Sequence, residues 1–134
     1  MNEMTRIAVD AIGGDFGAPV VLEGVEMALA EDPNLEVIIC GPADAVEPFA
    51  QSHERCIAQP CTEEIAMDEH PAQAVRKKKD SSIVVGCRLV KEGQAQGFFS
   101  AGSTGACLTA ATLVMGRIKG VMRPAIATII PSPA

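Results

Sequence analysis

Short apolar runs alternate along this chain with segments in which apolar residues recur every three or four positions. The runs are typical of buried strands, and they cover residues 6–10, 35–40, 55–59, 97–99 and 125–130. Strands that alternate with helices at this spacing indicate βαβ units, which build a parallel sheet. The pattern therefore predicts an α/β fold, a mostly parallel sheet with helices on both faces.

The segments between these runs carry helix start and stop signals. Pro19 lies where the first turn of a helix accepts proline, and apolar residues then recur at helical spacing up to Leu29. Ser81 and Ser82 offer an N-cap for a helix over 83–91 that is closed by Gly93. The other helices are predicted around 45–50, shortened or bent by Pro48, over 71–79 from Pro71, and over 108–115.

The length and composition fit one domain with a substantial core. The chain has 134 residues, of which 48% are hydrophobic. No apolar stretch approaches the roughly 20 residues of a membrane-spanning helix, and the first residues lack a secretion signal, so we expect a cytoplasmic protein. The chain stops directly after its last predicted strand, without a helix to cover it. The chain is therefore expected to be a fragment of something longer.

Charge and side-chain chemistry exclude several classes of function. A net charge of −6 argues against nucleic-acid binding, and four Phe with no Trp or Tyr provide no stacking platform for bases. Five cysteines form an odd set without a C-x-x-C pair and are expected to be core thiols. Neither they nor the two histidines have zinc-ligand spacing, so no metal site is predicted. No cofactor is predicted either.

The run from Ser100 to Ala106 follows an apolar strand and opens a predicted helix. Gly102 and Gly105 permit positive φ angles and close approach of the backbone, so the amides at the helix start can point at anion oxygens. Ser103 and Thr104 add hydroxyls that either cap the helix or touch a ligand. A small-residue turn that packs a helix tightly on a sheet would have the same composition, so the loop alone leaves both interpretations open.

A second loop follows the first predicted strand. Asp10, Gly13, Gly14 and Asp15 lie at its carboxyl end, at the same sheet edge as the loop that begins at Ser100. The two aspartates either cap the next helix, close an Asx turn, or take part in binding.

A basic run precedes the serine pair. Arg76 and Lys77–Lys79 contribute four of the eleven Lys and Arg of an acidic chain, directly before Ser81 and Ser82. Such a run is ordinarily a solvated helix face, but cations beside a helix N-terminus also concentrate positive potential for an anionic ligand. His53 and His70 lie at a polar helix end and before a proline, which favours surface positions over catalysis.

Three elements in this order, VDAIGGDFGAP, MDEHPAQAVRKKKDSSI and SAGSTGA, closely resemble the bacterial PlsX-type phosphate acyltransferases of phospholipid synthesis. The resemblance runs from Arg6 to Ser132. It implies a three-layer α/β fold related to isocitrate and isopropylmalate dehydrogenases and to phosphotransacetylase. Family members are longer than this chain, and the resemblance covers their amino-terminal part. It therefore implies that residues 1–134 are the amino-terminal part of a single α/β domain, with the remaining catalytic segments outside it.

The resemblance also implies an activity. The enzymes transfer a fatty acyl group from acyl-acyl-carrier-protein to inorganic phosphate, as homodimers that associate peripherally with the membrane through segments absent here. It implies catalytic roles for Asp10, Lys78 and Lys79. It implies substrate-binding roles for Gly13, Gly14, Asp15, Arg76, Ser81, Ser82, Ser100, Gly102, Ser103, Thr104 and Gly105.

Two other functions stay open at this point. A phosphotransacetylase-like enzyme would use the same phosphate cradle with acetyl-CoA. A non-catalytic module that binds nucleotide or phosphate and serves only to assemble with a partner would also fit, because the chain is short.

Overall fold

A computed structural model describes residues 3–133, and within them four parallel strands form one sheet. The strands are β1 (Thr5–Asp10), β2 (Leu35–Gly41), β3 (Cys56–Pro60) and β4 (Gly97–Phe99). Their order across the sheet is β3–β2–β1–β4. β1 is central, with Asp10 opposite Cys40 of β2 on one side and Val9 opposite Phe99 of β4 on the other. The parallel sheet predicted from the sequence is confirmed.

In the same part of the chain, five α-helices connect and cover these strands. They are α1 (Ala18–Glu31), α2 (Ala43–Ser52), α3 (Pro71–Lys77), α4 (Ser82–Lys91) and α5 (Thr104–Ala110), which continues as a π-helical turn over Ala111–Met115. The start signals act as predicted: proline lies in the first turn of α1 and of α3, and Ser81 caps α4. α3 ends two residues earlier than predicted.

The helices cover both faces of the sheet, because strand side chains alternate between faces. On one face Val9 and Val37 pack with Val25 of α1 and Val46 of α2. On the other face Ala8, Ile38 and Cys40 pack with Val85 and Leu89 of α4, and α5 packs on α4. The result is a three-layer α/β fold.

The chain changes direction across the sheet at β1. From β1 it proceeds outward through β2 to β3, and it then crosses to the opposite side of β1 to form β4. The helix after β1 lies on one face and the helix after β4 on the other, so a crevice opens between the carboxyl ends of these two strands. Open α/β sheets bind ligands at such a switch point.

The strand predicted over residues 125–130 is wrong. These residues form no helix or strand, and Ile129 is 95% exposed. Apolar β-branched composition stabilises a strand only where a neighbouring backbone and a packed face are supplied. Within residues 3–133, no strand pairs with this segment.

Candidate anion-binding site

Asp10 joins three loops at the carboxyl edge of the sheet. It ends β1 and is only 1% exposed. Its Oδ1 accepts hydrogen bonds from the Ser82 hydroxyl at 2.6 Å and from the Ile12 amide at 3.2 Å. Its Oδ2 accepts a hydrogen bond from the Ser100 hydroxyl at 2.8 Å. One buried carboxylate therefore holds together residues that are 72 and 90 positions away in the chain.

Local structure brings each hydroxyl to this carboxylate. Ser82 is the first residue of α4, and the Ser81 side chain fixes that helix start by accepting a hydrogen bond from the Val84 amide. Ser100 directly follows β4, which pairs with β1. Ser100 thus approaches Asp10 from the end of the adjacent strand β4, and Ser82 approaches it from the start of α4 on one face of the sheet.

The first glycine loop, residues 11–17 after β1, packs closely against the Asp10 and Ser100 side chains. A Cβ on Gly13 would lie 2.7 Å from Asp10 Oδ2 and 2.9 Å from Ser100 Oγ. Gly14 has a φ of +90°, which side chains disfavour. The aspartates do not cap α1, whose N-cap is Gly17. The bond from the Ile12 amide instead gives Asp10 an Asx turn, one of the alternatives that the sequence left open.

The second glycine loop, the run from Ser100 to Ala106, is held by hydrogen bonds at both ends. The Ser100 hydroxyl oxygen accepts a hydrogen bond from the Gly102 amide at 3.2 Å. The Ser103 hydroxyl accepts one from the Ala106 amide at 3.2 Å and so caps α5. The Ser103 hydroxyl, which was predicted either to cap the helix or to touch a ligand, caps the helix in this structure. Thr104, for which the same alternatives were predicted, is exposed in the first turn of α5, and so is Gly105.

A small crevice lies between these loops. Its volume is about 30 Å³, and it is lined by Asp10, Ile12, Gly13, Gly14, Glu64, Ile65, Met67, Ser82, Ile83 and Gly102. That volume is close to the share of one water molecule in the liquid. Glu64 is among the residues that line the crevice, so the negative charge of its side chain opposes an anion nearby unless cations offset it.

The basic run offers fewer free cations than its sequence suggests. Lys78 Nζ lies 2.7 Å from Glu69 Oε1 and 2.8 Å from Oε2, and it donates to the Glu64 carbonyl at 2.7 Å. This ammonium therefore holds the segment before α3. Arg76 and Lys79 are exposed, and neither forms an ion pair within the described residues.

The pairing with Lys78 sets an expected titration of Glu69. The hydrogen bond from Lys78 and the bond from the Ala66 amide hold the pKa of Glu69 below its ordinary value of 4.5. A depressed carboxyl pKa stabilises the fold above the unfolded value, and this contribution disappears as the pH falls through the folded value. We expect carboxyl-selective NMR to place the Glu69 midpoint below 4.5, and to find it raised in Lys78→Gln.

The matched control for this titration is Lys79→Gln. It removes a neighbouring ammonium that makes no contact with Glu69 in the structure. If the Glu69 midpoint moves equally in both variants, the pKa of Glu69 depends on the total positive charge of the basic run and not on the contact with Lys78.

The remaining predicted site residues lie around this centre. Ser81 is fully buried, donates to the Lys78 carbonyl at 2.8 Å and caps α4. Asp15 is exposed in the loop before α1. Gly105 lies against Pro71, because a Cβ there would be 3.0 Å from Pro71 Cγ. Their binding roles stay predictions, and the structure supplies packing or capping roles for Ser81 and Gly105.

The sequence did not indicate that residues 61–69 border the crevice. This acidic, irregular segment places Ile65 and Met67 beside Gly102 and Gly14. It is held there by long-range bonds, including those from the Thr62 amide and hydroxyl to Asp80. No local pattern in the segment carries that information.

The thiols are not poised for chemistry. Burial raises the pKa of Cys87 to about 12 and the pKa values of Cys56 and Cys61 to about 11. Burial likewise raises the pKa values of Cys40 and Cys107. Within residues 3–133, no three His, Cys, Asp or Glu side chains gather closely enough to hold a metal ion.

The helices are short. Across the part of the chain that the structure describes, none has the length and apolar character needed to cross a lipid bilayer.

Comparisons with known proteins agree with the resemblance read from the three loops. The chain is 51% identical over 130 residues to a phosphate acyltransferase of Clostridium perfringens, covering 94% of this chain and 38% of that protein. It is 49% identical over 126 residues to one of Limosilactobacillus reuteri, with 94% and 37% covered. It is 50% identical over 132 residues to one of Desulfitobacterium hafniense, with 96% and 39% covered.

These relatives are much longer proteins, and this chain spans about two fifths of their length. The sequence model of one family, described as "Fatty acid synthesis protein", matches residues 5–134. That match includes all four strands and the three loops that meet at Asp10. The chain therefore belongs to the fatty acid synthesis protein family.

Proposed function

We propose that this chain is the amino-terminal part of an enzyme that transfers a fatty acyl group from acyl-acyl-carrier-protein to inorganic phosphate, forming acyl phosphate for phospholipid synthesis. The observation that supports this most is the junction at Asp10, which holds two glycine loops and the start of α4 at the topological switch point. The names of the relatives supply the reaction class.

The reaction needs positioning more than a protein nucleophile. A phosphate oxygen attacks the thioester carbonyl carbon, the carbon–sulfur bond breaks, and the thiolate leaves and takes up a proton. An oriented, partly desolvated phosphate supplies the nucleophile, so amide donors and cations suffice. The raised pKa values of the five thiols fit a mechanism without an acyl-cysteine intermediate.

Each loop has a part in this mechanism. The amides of Thr104 and Gly105, in the first turn of α5, have no partner within the helix and bind phosphate oxygens. Asp10 is a positioning residue, because both of its oxygens already accept hydrogen bonds from Ser82, Ser100 and the Ile12 amide. Lys79 and Arg76 offset the charge of phosphate and of Glu64, while Lys78 keeps the segment that carries Glu64 in place.

The proposal extends to partners and location. The enzyme acts in the cytoplasm as a homodimer that touches the membrane peripherally, with acyl-acyl-carrier-protein and phosphate as its partners. A net charge of −6 supports the absence of nucleic acid from this set.

The test is acyl phosphate formation from acyl-acyl-carrier-protein and phosphate, measured as transfer of radiolabelled phosphate into acyl phosphate, with a reaction that lacks enzyme as the blank. The full-length Clostridium perfringens relative is the positive control, and acetyl-CoA is the competing donor. We expect the relative to prefer the acyl-carrier-protein thioester, and a preference for acetyl-CoA would instead identify a phosphotransacetylase-like enzyme.

A second candidate rests on the length of the chain. Because it spans about two fifths of its relatives, it is either an active enzyme or a phosphate-binding fragment without turnover. Phosphate binding without acyl phosphate formation would support the fragment. Absence of phosphate binding, both in this chain and in the full-length relative, would contradict both candidates.

A further inference from the structure

We propose that the Met67 side chain is a gate at the anion-binding crevice, which must turn away from Gly102 before phosphate enters between the two glycine loops. This inference rests on the proposed phosphate site. Met67 lines the crevice, and a Cβ built on Gly102 would lie 3.3 Å from Met67 Cε and 3.4 Å from Met67 Sδ. The end of this side chain therefore lies against the second glycine loop and closes one wall of the crevice.

The size of the crevice requires one of its walls to move. Its volume of about 30 Å³ is the space of about one water molecule. Phosphate carries an oxygen at each of the four corners of a tetrahedron, and each oxygen is about as large as a water molecule. A phosphate ion that lies between the glycine loops must therefore displace a group that lines the crevice.

Met67 is the wall that moves most easily. Asp10 and Ser82 are buried and hydrogen-bonded to each other, and Ile65 and Ile83 are buried in the core beneath α3 and α4. Met67 is 54% exposed, and its unbranched side chain has three rotatable bonds. Rotation of this one side chain enlarges the crevice and leaves the core unchanged.

The backbone that carries Met67 is held in place, so the side chain moves alone. The Glu69 amide donates to the Ala66 carbonyl at 3.2 Å, which closes a turn that contains Met67. The Ala66 amide donates to Glu69 Oε2 at 2.6 Å, and Lys78 Nζ binds both Glu69 and the Glu64 carbonyl. Motion of the whole segment would break these bonds, whereas rotation of the Met67 side chain breaks none of them.

Met67→Ala should bind phosphate about fourfold more tightly than the wild-type chain in calorimetry. The wild-type chain must first break the contact between the Met67 methyl group and Gly102, and exposing one such group costs about fourfold in affinity. Met27→Ala is the matched control and should leave the affinity unchanged, because Met27 is 67% exposed on α1 and does not line the crevice. Equal or weaker binding by Met67→Ala would overturn the proposal, because phosphate would then bind without displacing this side chain.

NMR of the Met67 methyl group separates this inference from the proposed function. Its carbon shift reports rotation about the last side-chain bond, and Met67→Leu identifies its signal among the six methionines. Without phosphate we expect a shift averaged between rotamers together with an NOE to Gly102, because both the closed and the open conformer are populated. Phosphate should remove that NOE, and an NOE that persists in the phosphate complex would overturn the proposal.

The same spectrum decides the inference if the phosphate site itself fails. If phosphate binds neither to the wild-type chain nor to Met67→Ala, the proposed function has lost its anion site. An averaged Met67 methyl shift in the wild-type chain would still support a side chain that opens the crevice. The shift of a single rotamer would show a fixed wall and overturn the inference.

Discussion

Replacing Asp10 with alanine should lower the free energy of unfolding by about 3 kcal/mol and abolish phosphate binding. The substitution removes one acceptor group and leaves the Ser82 hydroxyl, the Ser100 hydroxyl and the Ile12 amide without their partner. An unsatisfied buried donor costs about 1–3 kcal/mol, and rotation of the two hydroxyls recovers part of the total. Urea unfolding measures the stability, and calorimetry with phosphate measures the binding.

Asp10→Asn separates the shape of this side chain from its charge. Its oxygen still accepts from Ser82, and its amide donates to Ser100, whose hydroxyl hydrogen turns to the Gly102 carbonyl 3.2 Å away. We expect a loss of about 1 kcal/mol for this variant. The surface control Asp68→Ala, which removes an exposed carboxylate, should change stability by less than about 0.5 kcal/mol. An Asp10→Ala protein as stable as Asp68→Ala would contradict the assignment of Asp10 as the junction of the three loops.

The elements that were predictable depend on short-range chemistry. Pro19 and Pro71 mark helix starts because proline fits the first turn, and Ser81 marks another because its hydroxyl satisfies a free amide. Their partners lie within four residues, so the sequence pattern contains the whole interaction. The common edge of the glycine loops was also predictable, since parallel strands end at one edge.

The contacts that were missed are long-range. Nothing near Asp10 indicates that its acceptors face Ser82 and Ser100. Nothing near Lys78 indicates that Glu69, at the opposite end of α3, pairs with its charge. The strand predicted over 125–130 was wrong for a related reason. The composition of the segment favours a strand, but it does not indicate which strand would pair with it. The candidate site could thus be located from the sequence, whereas the bonding within it could not.

Gly13→Ala should destabilise the protein by about 2 kcal/mol and weaken phosphate binding at least tenfold. The new Cβ would lie 2.7 Å from Asp10 Oδ2, 2.9 Å from Ser100 Oγ and 3.1 Å from the Ala101 amide nitrogen. These neighbours are hydrogen-bonded groups and backbone, so they cannot swing away as the end of a flexible side chain could. Overpacking of this kind costs about 1–3 kcal/mol. It also lengthens the hydrogen bond from Ser100 to Asp10, which joins the two glycine loops.

Gly24→Ala is the matched stability control, because it adds the same methyl group where no atom lies within 4 Å. In the interior of α1 it should raise stability by about 0.5–1 kcal/mol, the opposite sign to Gly13→Ala. Ser100→Ala supplies a further test, since it removes the hydroxyl that the Gly13 methyl would strike. The two changes should cost less together than the sum of their separate effects, because the second relieves part of the clash that the first creates. Additive costs in this double-mutant cycle would show that Gly13 does not act through the Asp10–Ser100 bond.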